Sequence, residues 1–179
     1  LRSRRALALV AAGGLGGAAC DQIHVRSAIL RYRDPALLGQ AWWVAPQFGL
    51  AVVAMVTLAG PLAEAVPPAG PAEVTGDALW FLAAYGASGA VGNSHPVALA
   101  ATFVTLWALR LWRRPRPLPV AVVSVVLAAA GVLYEGSVAA TGAFHYVHPD
   151  VYHVPLWLAG LYLQGAPLLV SVAPYAAGR

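Results

Sequence analysis

The chain has 179 residues, 60% hydrophobic and only 10% charged, with a mean hydropathy of +0.69. A soluble domain carries roughly 25% charged residues, and one of this size buries only about 70% of the surface its unfolded chain exposes, so a soluble enzyme is excluded. The net charge of +4 does not indicate nucleic acid either, because all eleven basic residues are arginines clustered beside apolar runs, as at cytoplasmic membrane faces.

A hydrocarbon core takes about 20 apolar residues per helix. Charge-poor stretches fall at 5–23, 40–61, 78–95, 96–112, 118–142 and 154–174. The expectation is an all-α integral membrane protein, with residues 1–179 forming one domain, a bundle of six transmembrane helices. The first span follows Arg2, Arg4 and Arg5 and is interrupted near its end by Asp21. Its Gly17-Ala18-Ala19-Cys20 imitates a lipoprotein signal, but Gly17 stands where such signals usually carry Leu, and no cleavage is expected. Cys20 is alone and makes no internal disulfide. The second span opens with Trp42 and Trp43, and Gln47 lies one turn after Trp43 on the same face. Pro61, Pro67, Pro68, Pro71 and three acids make 62–77 an irregular loop. Asn93-Ser94-His95-Pro96 is a tight hairpin before the fourth span, with Pro96 suited to a first helical turn.

Arginines set the orientation. With the N-terminus inside, Arg2, Arg4, Arg5, Arg110, Arg113, Arg114, Arg116 and Arg179 lie inside, and only Arg26, Arg31 and Arg33 outside. Both termini are therefore expected in the cytoplasm. Trp42, Trp43 and Trp157 near outer ends, and Trp80 and Trp112 near inner ends, fit interfacial belts. The absence of Lys and the abundance of Ala, Val, Gly and Arg suggest a high-GC bacterial gene, hence the inner membrane of a bacterium.

Few residues could carry chemistry. Gly86-Ala87-Ser88-Gly89 resembles the G-x-S-G of rhomboid-type intramembrane proteases, whose serine needs a histidine base; the last span has none. Small residues four apart (Gly13 and Gly17, Gly86 and Ala90, Ser88 and Gly92) favour close helix packing instead. His145, His148 and His153 with Asp150 and Glu135 lack metal-site spacing, and neither metal nor cofactor is expected. Glu135 is an intramembrane acid, and such groups face the bundle, a cavity or a solvated interface rather than lipid.

Two stretches go further. Ala41-Trp42-Trp43-Val44-Ala45-Pro46 resembles the A-W-W-V-P-P of the Insig (insulin-induced gene) proteins. Gly142-Ala143-Phe144-His145-Tyr146-Val147-His148-Pro149-Asp150, with Val154 and Trp157-Leu158, is similar to their G-x-x-x-Y-x-x-P-D segment and the V-x-x-W-L after it. Ala87-Ser88 and Asn93 add weaker similarity. The resemblance implies a six-helix bundle that binds a sterol or similar lipid within the membrane, as animal relatives do in the endoplasmic reticulum. It departs from the family at Arg113-Arg114-Pro115-Arg116, where members carry an acidic residue linked to partner binding, and at Val97, where they show Gln. A sterol-sensing-domain partner is therefore doubtful.

The reading is an Insig-like lipid sensor or scaffold without catalysis, forming a homo-oligomer, with three subunits as the guess. Its ligand would be a neutral amphipathic lipid, such as diacylglycerol or a sterol, because no Arg or Lys stands at mid-depth to pair a phosphate. The expected lipid-binding residues are Trp42, Trp43, Gln47, Tyr85, Ser88, Asn93, Tyr134, Glu135 and Gln164. The alternative is a membrane enzyme acting on a lipid or carotenoid, with Glu135 and the loop histidines as acid and base.

Overall fold

Proline starts three of the helices. Pro71, Pro96 and Pro117 each stand in the first turn, where the missing N–H leaves no bond unmade and φ is already helical. In a computed structural model describing residues 3–177, the helices are α1 (Ser3–Arg26), α2 (Val44–Ala63), α3 (Pro71–Val91), α4 (Pro96–Trp112), α5 (Pro117–Ala140) and α6 (Leu158–Ala177). A helix occupies each of the six expected stretches. Four of them (α1, α2, α5 and α6) are long and apolar enough to cross a membrane, and α4 is a shorter apolar helix. The chain is an all-α multi-pass membrane bundle.

The region 62–77 departs from expectation. Pro61 sits inside the last turn of α2, and α3 starts at Pro71, so helix replaces loop at both ends. The early turns of α3 tolerate Glu73 and Asp77 because arginines meet them. Arg110 Nη2 lies 2.8 Å from Asp77 Oδ1, Arg114 Nη2 binds both Asp77 oxygens at 2.6 and 2.7 Å, and Arg114 also pairs Glu73. Ser171 donates to Asp77 from α6 at 2.7 Å. This buried knot joins α3, α4 and α6.

Helix α6 is the hub. Of its most apolar stretch 61% is buried, against 17–28% in the other three long spans. One end of the core gathers Trp157, Leu158 and Leu161 with Phe103, Phe144 and Tyr146; the other gathers Val56, Val120, Ala166 and Val170. Trp157 is therefore not an interfacial ring as expected: it is fully buried and donates to Gly92 O. Close helix approach occurs at Gly13, where a Cβ would lie 2.7 Å from Val52, but Gly86 faces open space.

No strand is expected from the residues, yet β1 (Leu30–Tyr32) and β2 (Phe144–Tyr146) pair antiparallel, Arg31 opposite His145. They belong to a repeat. Helices α1 and α5 end at Arg26 and Ala140, and α2 and α6 begin at Val44 and Leu158, in each case 114 positions apart. Positive φ recurs at the same offset in Ala28 and Gly142, Leu38 and Tyr152, and Gly39 and His153, and so do the bridges Leu37–Gln40 and Val151–Val154. The hairpins α1–β1–α2 and α5–β2–α6 are thus two copies of one unit, related by a pseudo-twofold axis through the Arg31–His145 pair.

Candidate functional site

A cavity of about 30 Å³ opens beside that axis. Its wall draws on both copies and on α3: Asp21, His24, Leu30, Tyr32, Trp43, Gln47 and Phe48 from the first, Glu135, Phe144, Tyr146, Leu158 and Tyr162 from the second, and Tyr85. A water needs about 10–15 Å³ measured in this way, so the space has the size of a small polar head.

The repeat explains the carboxyls. Asp21 and Glu135 occupy equivalent positions, as do Tyr32 and Tyr146, and each tyrosine donates to the acid of its own copy: Tyr32 to Asp21 Oδ2 at 2.9 Å, and Tyr146 to Glu135 Oε2. Burial first, and then the adjacent carboxyl, pushes both phenols above their ordinary range, so each remains an O–H donor. Glycine makes room for the aromatic wall. A Cβ at Gly17 would collide with Phe48, and one at the equivalent Gly131 would lie 2.5 Å from Tyr162 Cζ.

The two acids differ in what they leave over. Tyr162 donates to Glu135 Oε1, so both Glu135 oxygens are occupied. Gln40 donates to Asp21 Oδ2 at 2.8 Å, the oxygen that Tyr32 also uses, which leaves Oδ1 free of hydrogen bonds among the described residues. His24 Nε2 lies 2.7 Å from Ser88 Oγ, and the imidazole stacks on Tyr85 with ring centroids 5.0 Å apart.

Of the nine residues expected from sequence, Trp43, Gln47, Tyr85 and Glu135 line the cavity. Glu135 thus faces a cavity, one of the placements its depth allowed. Ser88 lies behind His24, fully buried. Asn93 caps the other hairpin by donating to Ala28 O at 3.1 Å. Gln164 is committed to the inner network, accepting from Trp80 and Arg110 and donating to Phe103 O. Trp42 and Tyr134 are 75% and 48% exposed. Sequence reasoning missed Asp21 and His24, read as a span interruption and not at all, and the tyrosines Tyr32, Tyr146 and Tyr162. The repeat was the signal for Asp21 and the tyrosine pair Tyr32 and Tyr146; His24 and Tyr162, equivalent to Val138 and Phe48, carried no such signal. His145, His148 and His153 are exposed and stand apart from the cavity wall, so they do not converge with Glu135. Among the described residues no group of three or more His, Cys, Asp or Glu side chains is placed to hold a metal.

Five helices around a buried sixth, with a polar cavity near one end, define an Insig-like membrane bundle, the fold that the two motifs imply. The chain is similar over its whole length to the crystal structure of MvINS, a mycobacterial Insig homolog from Mycobacterium vanbaalenii, with 21% identity, a TM-score of 0.84 and 97% of that chain covered. A cross-linked MvINS trimer matches equally, at 21% identity, a TM-score of 0.83 and the same coverage of both chains. No protein-family profile matches the sequence, and no curated protein matches it.

Proposed function

We propose that the protein is a non-catalytic, Insig-like sensor or scaffold that holds a neutral lipid by a small hydroxyl head, in the inner membrane of a bacterium. The observation that carries this is the composition of the cavity wall: Asp21 and Glu135 line it, and no Arg or Lys does. A phosphate head would meet two carboxyls and no cation, and burying an unpaired charge is very costly. A hydroxyl needs only one or two hydrogen-bond partners, and the wall supplies them. The volume sharpens the reading. Sites that engulf a drug-sized ligand measure about 300–1,000 Å³, so here only the head enters and the apolar body stays among the helices or in the bilayer. That favours diacylglycerol over a sterol ring system swallowed whole. The trimer known for MvINS supports a homo-oligomer, and the chain's own Arg113-Arg114-Pro115-Arg116 argues against carrying over a sterol-sensing-domain partner.

The test is mass spectrometry of lipids retained through purification. A neutral hydroxyl lipid enriched over its share of the host membrane is expected, and Gln47→Ala should reduce the enrichment without unfolding the bundle. Recovery of anionic phospholipids alone, in proportion to their abundance, would refute a selective site.

A further inference from the structure

Ser88 has one proton to give. Its Oγ lies 2.9 Å from Tyr85 O and 2.7 Å from His24 Nε2. A carbonyl only accepts, so both contacts are made together only if Ser88 donates to Tyr85 O and His24 donates through Nε2–H. A neutral imidazole with its proton on Nε2 has a bare lone pair on Nδ1. Nδ1 has no hydrogen-bond partner among the described residues, and His24 is only 3% exposed. Among the described residues, the sole fully enclosed side-chain N or O without a partner is Gln22 Oε1. Nδ1 therefore touches open space, and the cavity is the open space that His24 lines.

We propose that His24 reads the ligand head: Ser88 fixes its tautomer so that Nδ1 must receive a hydrogen bond, and the cavity takes a lipid with a free hydroxyl and rejects the same lipid once that hydroxyl is capped. This rests on the neutral-lipid reading above and adds the residue that decides selectivity. The remaining unpaired groups complete the arrangement. Asp21 Oδ1 is a second acceptor one helical turn from His24, and Gln47, whose side chain has no partner among the described residues, offers an amide N–H to the hydroxyl oxygen. A hydroxyl can donate once and accept once here, whereas an ether or ester oxygen only accepts and leaves Nδ1 unmet, the kind of mismatch that discriminates strongly. The same geometry removes Ser88 from nucleophilic duty. A histidine donating to the serine is not its base, and Ser88 has no exposed surface for a substrate to reach.

The experiment measures binding of 1,2-dioleoylglycerol and of its 3-O-methyl ether to delipidated, detergent-purified full-length protein. Wild type should prefer the free hydroxyl by tenfold or more. His24→Phe, which keeps a ring against Tyr85, should bring the two within about twofold of each other. Ser88→Ala releases the tautomer and should lower the ratio at least threefold while diacylglycerol still binds; it also decides the matter if His24→Phe fails to fold. Equal wild-type binding of both probes overturns the role of His24 and leaves the lipid site standing. A preference that survives Ser88→Ala unchanged overturns it as well. Binding of neither probe overturns both readings.

Discussion

Adding one methyl group at Gly131 should act on the cavity and on stability together. The new Cβ would lie 2.5 Å from Cε2 and Cζ of Tyr162, whereas carbon atoms rest about 3.5–4.0 Å apart. The ring must retreat by roughly 1 Å, and Cζ carries the hydroxyl that donates to Glu135. A hydrogen bond stretched that far is largely lost. Over-packing costs about 1–3 kcal/mol and an acceptor left unmet about 1–3 kcal/mol, offset by about 1 kcal/mol for replacing a helical glycine with alanine. The net expectation is a loss of about 1–5 kcal/mol. Gly86→Ala is the control, since its Cβ would meet nothing within 4 Å; it should stabilise by up to about 1 kcal/mol. Thermal unfolding in detergent reads both, and lipid mass spectrometry on the same samples should show retention lost only in Gly131→Ala. Tyr162→Phe separates the causes by removing the hydroxyl and keeping the ring. If Gly131→Ala raised the unfolding midpoint as Gly86→Ala does, the close approach of α5 to Tyr162 would be refuted.

Two further outcomes are expected. Asp77→Ala leaves Arg110 and Arg114, 18% and 14% exposed at their side chains, without their shared carboxylate; breaking such a pair costs about 3–5 kcal/mol, and Asp77→Asn should cost less because its amide oxygen still accepts from an arginine and from Ser171. Detergent thermal melts that place Asp77→Ala within error of wild type would remove this knot as the tie between α3, α4 and α6. For orientation, single cysteines at Pro68 and His148 in a Cys20→Ala background should label from opposite sides of intact cells, with His148 outside; both positions are exposed, whereas the neighbouring Ala69 is buried. Labelling of both from outside would contradict the orientation drawn from the arginines.

The helices were legible because apolar length and proline position are local. Pro96 and Trp112 bound α4 as the charge-poor stretch 96–112 predicts, and α5 begins one residue before expectation, at Pro117. The start of α3 was not legible, since Glu73 and Asp77 read as loop until Arg110 and Arg114 arrive from elsewhere in the chain. The site was half legible. Glu135 announced itself as an acid in an apolar run, but Asp21 and His24 read as the frayed end of a span because their partners, Tyr32 and Ser88, are 11 and 64 positions away. Trp157 looks like Trp42 in sequence, and only packing separates a core ring bonded to Gly92 from a ring 75% exposed.

On the proposed function, the repeat indicates where a ligand head would sit. Two copies of one hairpin would give a symmetric cavity, with an acid and a tyrosine on each side, and that much is present in Asp21–Tyr32 and Glu135–Tyr146. Between the two copies, the cavity-lining polar atoms left unpaired among the described residues all lie on the first. Where the second copy has Tyr162 to occupy the last oxygen of Glu135, the first has Phe48, which donates nothing, and Asp21 Oδ1 stays open. Where the second copy has Val138 and Leu161, the first has His24 and Gln47. Both exchanges put an unpaired polar group, Nδ1 of His24 and the amide of Gln47, where the other copy is apolar, and an unmet polar group at a cavity wall is a cost the fold has no reason to carry for its own stability. In the second copy the same positions are saturated or apolar. On the proposed function, the α5–α6 half is the satisfied wall, and the α1–α2 half is the one that offers free polar atoms to a ligand head.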